Sequence, residues 1–191
     1  LLTQTLEDLE PTATAIRAHN NALPASQNSA DTILLPMAFA EGSPMHPAYG
    51  AGHATVAGAC VTILKAFFDT SAVLVDLDGS IGFRTAEQIA ASPSTPSYVQ
   101  IVTTNNGADL VTEPANTPLT LEGELNKLAA NISIGRNMAG VHYFTDYFDS
   151  VRMGEEIAIG MLEEQAIGYP TDPFVMSVPT FDGDVERIGA R

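Results

Sequence analysis

Tryptophan is absent, cysteine occurs once, histidine four times, and only 8 basic residues stand against 23 acidic ones. Each scarcity closes off a class of protein. A single thiol, Cys60, cannot form an internal disulfide, so the chain is not a small disulfide-stapled scaffold. A formal net charge of -15 excludes a surface built for nucleic acid or anionic membrane, where Lys and Arg must supply the attraction. No apolar run approaches the roughly 18 residues that a membrane-spanning helix needs. What is plentiful describes a soluble globular chain: 45% hydrophobic residues, a mean hydropathy of +0.09 and a length of 191, which fits one domain. The opening "LLTQTLEDLE" reads as the middle of a helix and no initiating methionine precedes it, so the expectation is a processed chain or a fragment. No targeting segment is visible, and the compartment stays open.

The periodicity predicts a mainly α fold. Residues 1–20 read as helical, with Pro11 either kinking that helix or opening a second one. Residues 21–45, rich in Ala, Ser, Asn and Pro around "ILLPMAFA", read as an ordered loop lying against the body. Val56, Cys60, Ile63 and Phe67 fall at i, i+4, i+7 and i+11, which predicts a buried helix stripe with Cys60 as a structural thiol. Residues 70–118 are the least regular, and "VLVDLDGS", "SPSTPS" and "YVQIVTTNNG" predict a strand or two in an irregular inserted excursion. A thinly capped helix is expected to follow Thr120, because Gly123 stands where a capping box has Glu or Gln. A long helix from about His142 to Gln165 would bury Tyr147, Val151, Gly154, Ala158, Met161 and Leu162. The tail from Asp172 onward reads as extended.

Two stretches carry chemistry-bearing side chains. In "HPAYGAGHATVAGAC", Gly50, Ala51 and Gly52 form a small-residue turn that runs into a helix, with His46 before it and His53 on its first helical turn. Uncovered N–H groups and the positive end of the helix dipole make such a turn a candidate oxyanion cradle. A plain turn followed by an exposed cap histidine explains the same letters. In "GRNMAGVHYFTD", Arg136 precedes His142 by six positions, and His142 and Asp146 stand one helical turn apart. A guanidinium fork can hold an oxyanion, a neutral imidazole can ligate a metal, and a carboxylate one turn away can orient that imidazole. A surface Arg–Asp pair beside a satisfied core histidine is the alternative. His19, in "IRAHNN", fits no motif and reads as a solvated helix-end residue.

"SPMHPAYGAGHATVAGACVTILKAFFD" and "NISIGRNMAGVHYFTDYF" resemble, in the correct order, the second and third signature segments of the vanadium-dependent haloperoxidases, especially the long algal and cyanobacterial bromoperoxidases. The resemblance covers most of the chain as the C-terminal part, residues 1–191, of one haloperoxidase-like helical domain, with residues 70–118 fitting poorest. It implies a helical bundle of the haloperoxidase and acid phosphatase superfamily, with vanadate as cofactor. By position, His142 resembles the histidine that bonds vanadium. Arg136 resembles the arginine, and Gly52 the backbone donor, that meet the equatorial oxygens. His53 resembles the acid–base histidine, His46 the residue that distinguishes bromoperoxidases from chloroperoxidases, and Asp146 the carboxylate supporting the ligand histidine. Ala51 departs from the family serine and so lacks one hydroxyl donor. The family's first segment, which supplies a lysine and another arginine, is absent from these residues, and neither Lys65 nor Lys127 stands in such a context.

The activity so implied is oxidation of bromide by hydrogen peroxide to hypobromous acid or an equivalent that halogenates organic acceptors. The implied partners are an upstream N-terminal polypeptide carrying the missing cations and further copies in a homo-oligomer. The enzymatic rival is an acid phosphatase in which His142 attacks phosphorus and His53 protonates the leaving group. The non-enzymatic rival is an inert structural fragment of the oligomer.

Overall fold

The structure is a computed structural model that describes residues 10–23, 47–169 and 174–189. Outside them lie His46, the "ILLPMAFA" loop and the first residues of the expected N-terminal helix.

Helix α1 (Thr12–Ala22) starts directly after Pro11, so this proline opens a helix at a position where its missing N–H costs nothing. Helix α2 spans Gly52–Phe67. Strands β1 (Val73–Leu77) and β2 (Ser80–Arg84) follow, then the short α3 (Ala86–Ala91), β3 (Ser97–Thr104) and β4 (Asp109–Pro114). Two long helices, α4 (Leu121–Met138) and α5 (Phe144–Gly168), complete the body, and strands β5 (Met176–Pro179) and β6 (Val185–Ile188) form a terminal antiparallel hairpin.

Residues 70–118 are more regular than the sequence led us to expect. They contain a four-stranded antiparallel sheet in the order β2-β1-β3-β4. Asp78 and Gly79, with φ of 57° and 76°, make the two-residue turn between β1 and β2, a conformation that suits the Asp-Gly pair. Leu74, Val75 and Leu77 anchor β1, whereas β4 is exposed throughout. Backbone bonds from Leu74 N–H to Leu119 and from Leu121 N–H to Ala72 tie the sheet to the start of α4. That start is capped after all: Thr120 Oγ1 accepts from Gly123 N–H at 3.1 Å, and Glu122 and Glu124 complement the helix dipole.

The core is made where α2 crosses α5 and α4, and small residues set its geometry. A Cβ at Gly58 would collide with the Val151 carbonyl, and one at Gly154 with the Thr55 carbonyl, so the two helices approach backbone to backbone. Ala51 and Ala54 meet Val151 beside them, while Ala57 and Val61 meet Ala129 and Leu125 of α4. The hairpin caps the other end, burying Val178 and Ile188 against Leu162.

This packing overturns the stripe predicted for α2. Val56, Cys60, Ile63 and Phe67 are exposed, Phe67 to 79%, and the buried face consists of Ala54, Ala57, Gly58, Val61, Thr62 and Lys65. The helix is apolar on both sides, and the close approach to Gly154 admits only the side with small residues. Cys60 is therefore not a core thiol. On α5 the predicted face holds for Val151, Gly154, Ala158 and Leu162, but Met161 is exposed.

Candidate active site

The two chemistry-bearing stretches meet. Ala48 N–H donates to the Val141 carbonyl at 2.8 Å, and the Ala48 carbonyl lies 2.7 Å from His142 Nδ1. A carbonyl only accepts, so Nδ1 carries a proton, and in the neutral ring Nε2 is then the nitrogen with the lone pair. That is the tautomer a metal-ligating histidine requires, with its orientation fixed by a backbone acceptor.

Asp146 ties the same two stretches together from below. It is fully buried, and its Oδ1 accepts from Gly50 N–H at 3.0 Å, Ala51 N–H at 2.9 Å and Ser150 Oγ at 2.7 Å. Ser150 Oγ also accepts from Ala51 N–H at 3.0 Å. Asp146 Oδ2 lies 3.2 Å from His142 Nδ1, close enough for attraction, although the ring proton is directed at Ala48. The carboxylate sits in the first turn of α5, where the helix dipole favours negative charge.

Above this anchor, α2 begins without a side-chain cap: Ala51 stands at the cap position and its methyl is buried to 1% exposure against Ala54 and Val151. Since the amides of Gly50 and Ala51 are spent on Asp146, the first uncovered donors are those from Gly52 on. A Cβ at Gly52 would meet nothing within 4 Å, so the backbone there is open to a ligand. Gly50, at φ of 95°, makes the turn that aims the chain into the helix. His53 is exposed and shares with Gly52, Val56, Ala57, Cys60 and Ile132 the lining of a groove of about 640 Å³ between α2 and α4. Arg136 is half-buried in the last turn of α4, and its carbonyl accepts from Val141 N–H at 3.2 Å, directly before His142. Gly140, at φ of 73°, completes that turn.

On the rim, Tyr49 donates to Asp149, which pushes its phenol above the ordinary value, and its ring centroid lies 6.3 Å from that of Tyr143. Among the described residues no three His, Cys, Asp or Glu side chains cluster as a metal site. An oxyanion held by one imidazole and a set of N–H donors needs no such cluster. Sequence reasoning missed the Ala48 carbonyl and Ser150. Every residue has a carbonyl, so the first left no signal. The second continues the four-residue step from His142 through Asp146.

The model of the VCPO second helical-bundle domain matches residues 13–166. The chain is 49% identical over 158 residues to a vanadium-dependent bromoperoxidase of Corallina pilulifera, covering 82% of this chain and 22% of that protein. It is 44% identical over 189 residues to the vanadium-dependent bromoperoxidase of Corallina officinalis, covering 98% and 27%. The homohexameric structure of the second vanadate-dependent bromoperoxidase from Ascophyllum nodosum superposes with a TM-score of 0.62 at 29% identity, over 92% of this chain and 30% of that one. The chain thus spans only about a quarter of the length of the curated relatives it matches. With its crossed helices and its paired histidine-bearing stretches, this chain belongs to the VCPO second helical-bundle domain family.

Proposed function

We propose that the chain is the part of a vanadate-dependent bromoperoxidase that carries the metal-bonding histidine and the oxyanion cradle, within the haloperoxidase and acid phosphatase superfamily. The observation that carries this reading is the pairing of Ala48 with His142. One backbone carbonyl fixes the imidazole with Nε2 bare, and it lies in the segment whose continuation supplies the uncapped start of α2. The donor set suits a tetrahedral oxyanion of a metal that accepts a nitrogen ligand.

In that reading His142 Nε2 bonds vanadium, and the N–H of Gly52 and the Arg136 guanidinium offer hydrogen bonds to the oxygens. Bound vanadate supplies Lewis-acid activation of hydrogen peroxide toward bromide. His53, exposed at the groove, would accept a proton from hydrogen peroxide and return it to the oxygen that leaves as water. Asp146 keeps the ligand ring and the cradle in one frame. His46, outside the described residues, keeps its proposed part in halide choice.

The further lysine and arginine would come from the remainder of a longer polypeptide, in keeping with the fraction of each relative that this chain spans. The uncovered face of Val56, Cys60, Ile63 and Phe67 beside His53 supports the same view, since large exposed apolar patches mark interfaces. Within this domain residues 70–118 are an insertion, folded as a sheet. The hexameric neighbour supports a homo-oligomer. No helix of the described residues is long and apolar enough to cross a membrane.

The intact protein should brominate monochlorodimedone with vanadate, peroxide and bromide, and His142→Ala should abolish this. Hydrolysis of p-nitrophenyl phosphate without bromination would instead establish the phosphatase reading. An isolated chain inert in both assays, made active by the rest of the polypeptide, would locate the missing cations there.

A further inference from the structure

We infer that Ser150 is a positioning residue of this site: its hydroxyl latches the Gly50–Ala51 turn to Asp146 and so sets the direction of the donors that α2 presents to an oxyanion. The inference rests on the vanadate reading for the identity of the anion but not for the latch itself. Ser150 lies beyond both stretches that carry the family resemblance and is 2% exposed on the buried face of α5.

Its single oxygen does two things at once. It donates to Asp146 Oδ1 at 2.7 Å and accepts from Ala51 N–H at 3.0 Å. Ala51 N–H is therefore shared between two acceptors, and Asp146 Oδ1 is held by three donors. Torsion about the terminal bond of an aspartate is soft, so the two amides of the turn alone hold the carboxylate less firmly than those amides plus a hydroxyl fixed to the helix. With Oδ1 so held, Oδ2 is kept facing His142 Nδ1 at 3.2 Å.

Anchoring the Ala51 amide also fixes the backbone at that residue, where φ is -74° and ψ is 90°. The next peptide unit carries the Gly52 N–H, so its direction follows from the anchor. Ala51 has no side-chain oxygen to cap the helix, and the latch lies entirely on the α5 side. Two side chains of a helix, Asp146 and Ser150, thereby hold the segment whose Ala48 carbonyl orients the imidazole and whose end opens the amide cradle, as a preorganised anion site needs.

The test uses Ser150→Ala and the near-isosteric Ser150→Cys in the intact protein, the second keeping the volume while hydrogen-bonding weakly should the first fail to fold. Vanadate dissociation constants are measured by equilibrium dialysis well below the melting temperature. Amide exchange is followed in the peptide containing residues 48–52. The latch predicts vanadate binding weaker by about five- to tenfold, the scale of one lost hydrogen bond, with faster exchange at Ala51. A lowered melting temperature with the dissociation constant and the exchange both unchanged would reduce Ser150 to a packing residue and overturn the proposal. If the unsubstituted protein fails to bind vanadate, the functional reading falls, and the exchange comparison still decides the latch: acceleration supports it, and no change overturns it.

Discussion

His142 gives its Nδ1 proton to the carbonyl of Ala48, 94 positions earlier in the chain, at 2.7 Å. This one bond makes the orientation of the imidazole depend on where the small-residue turn lies, and Asp146 holds that turn through Oδ1 while facing the ring through Oδ2. The imidazole and the turn that opens α2 are consequently a single unit. Disturbing either should be felt by both.

Asp146→Ala tests that unity. The substitution leaves Gly50 N–H, Ala51 N–H and the Ser150 hydroxyl with lost or weakened acceptors in a buried place. Each buried donor left unsatisfied costs roughly 1–3 kcal/mol, so a loss of several kcal/mol in urea unfolding is expected, together with loss of vanadate binding if the proposed function holds. Asp146→Asn, which retains an acceptor, should lose less. Equal stability of Asp146→Ala and the unsubstituted protein would show that the turn is held by something else.

The crossing of α2 and α5 makes a second prediction. Gly154→Ala places a methyl against the Thr55 carbonyl and the Ala59 amide, both backbone, so no side chain can turn away to make room. Overpacking of this kind costs about 1–3 kcal/mol or more. Gly160, on the same helix, meets nothing within 4 Å, and Gly160→Ala should raise stability by about 0.5–1 kcal/mol through helix propensity alone. Thermal unfolding of the two variants should move in opposite directions. A shared direction would refute the close approach.

Cys60 reports on the uncovered face of α2. The thiol is exposed beside Val56 and lines the groove that begins at Gly52 and His53. It should react readily with a maleimide in the isolated chain and, if further polypeptide covers the groove as the proposed function has it, become protected in the longer protein. Equal reactivity in both would mean that the face stays open to solvent.

The long helices were readable because their periodicity is strong, and Thr120 announced the start of α4. The buried face of α2 was not readable. Val56, Cys60, Ile63 and Phe67 repeat as well as Ala54, Ala57 and Val61 do, and the choice between them is made by Gly154, almost a hundred positions away. The sheet was half readable: Asp78-Gly79 marks a hairpin, while the exposed residues of β4 carry no burial pattern. In the site, the four-residue spacing of His142 and Asp146 was legible as proximity, but α5 begins only at Phe144, so the two do not share a helix face as expected. The partners that fix them, a carbonyl and two amides, belong to the backbone and have no letter of their own.

Behind the site lies a buried pair that sequence reading left without a role. Lys65 is 2% exposed, donates to the Pro179 carbonyl at 3.1 Å and stands 3.8 Å above the centre of the Phe181 ring. Glu155, 6% exposed, accepts from Phe181 N–H at 2.9 Å. Burial lowers the Lys65 ammonium from its ordinary value, against the attraction of Glu155 and Glu122. Burial also raises the Glu155 carboxyl above 4.5, outweighing the Phe181 amide and Lys65. The folded protein therefore binds more protons at Glu155 than the unfolded chain does, in the window above the unfolded value. This contribution to stability is complete below that value and is lost as pH rises through the folded one. Glu155→Gln keeps an acceptor for Phe181 but no longer titrates. The stability of the unsubstituted protein minus that of Glu155→Gln should thus fall as pH is raised from about 4 to about 7, read from urea midpoints at each pH. A difference that grows over this range would mean that the attraction of Lys65, rather than desolvation, governs the carboxyl, because only a net gain on ionisation makes stability rise with pH.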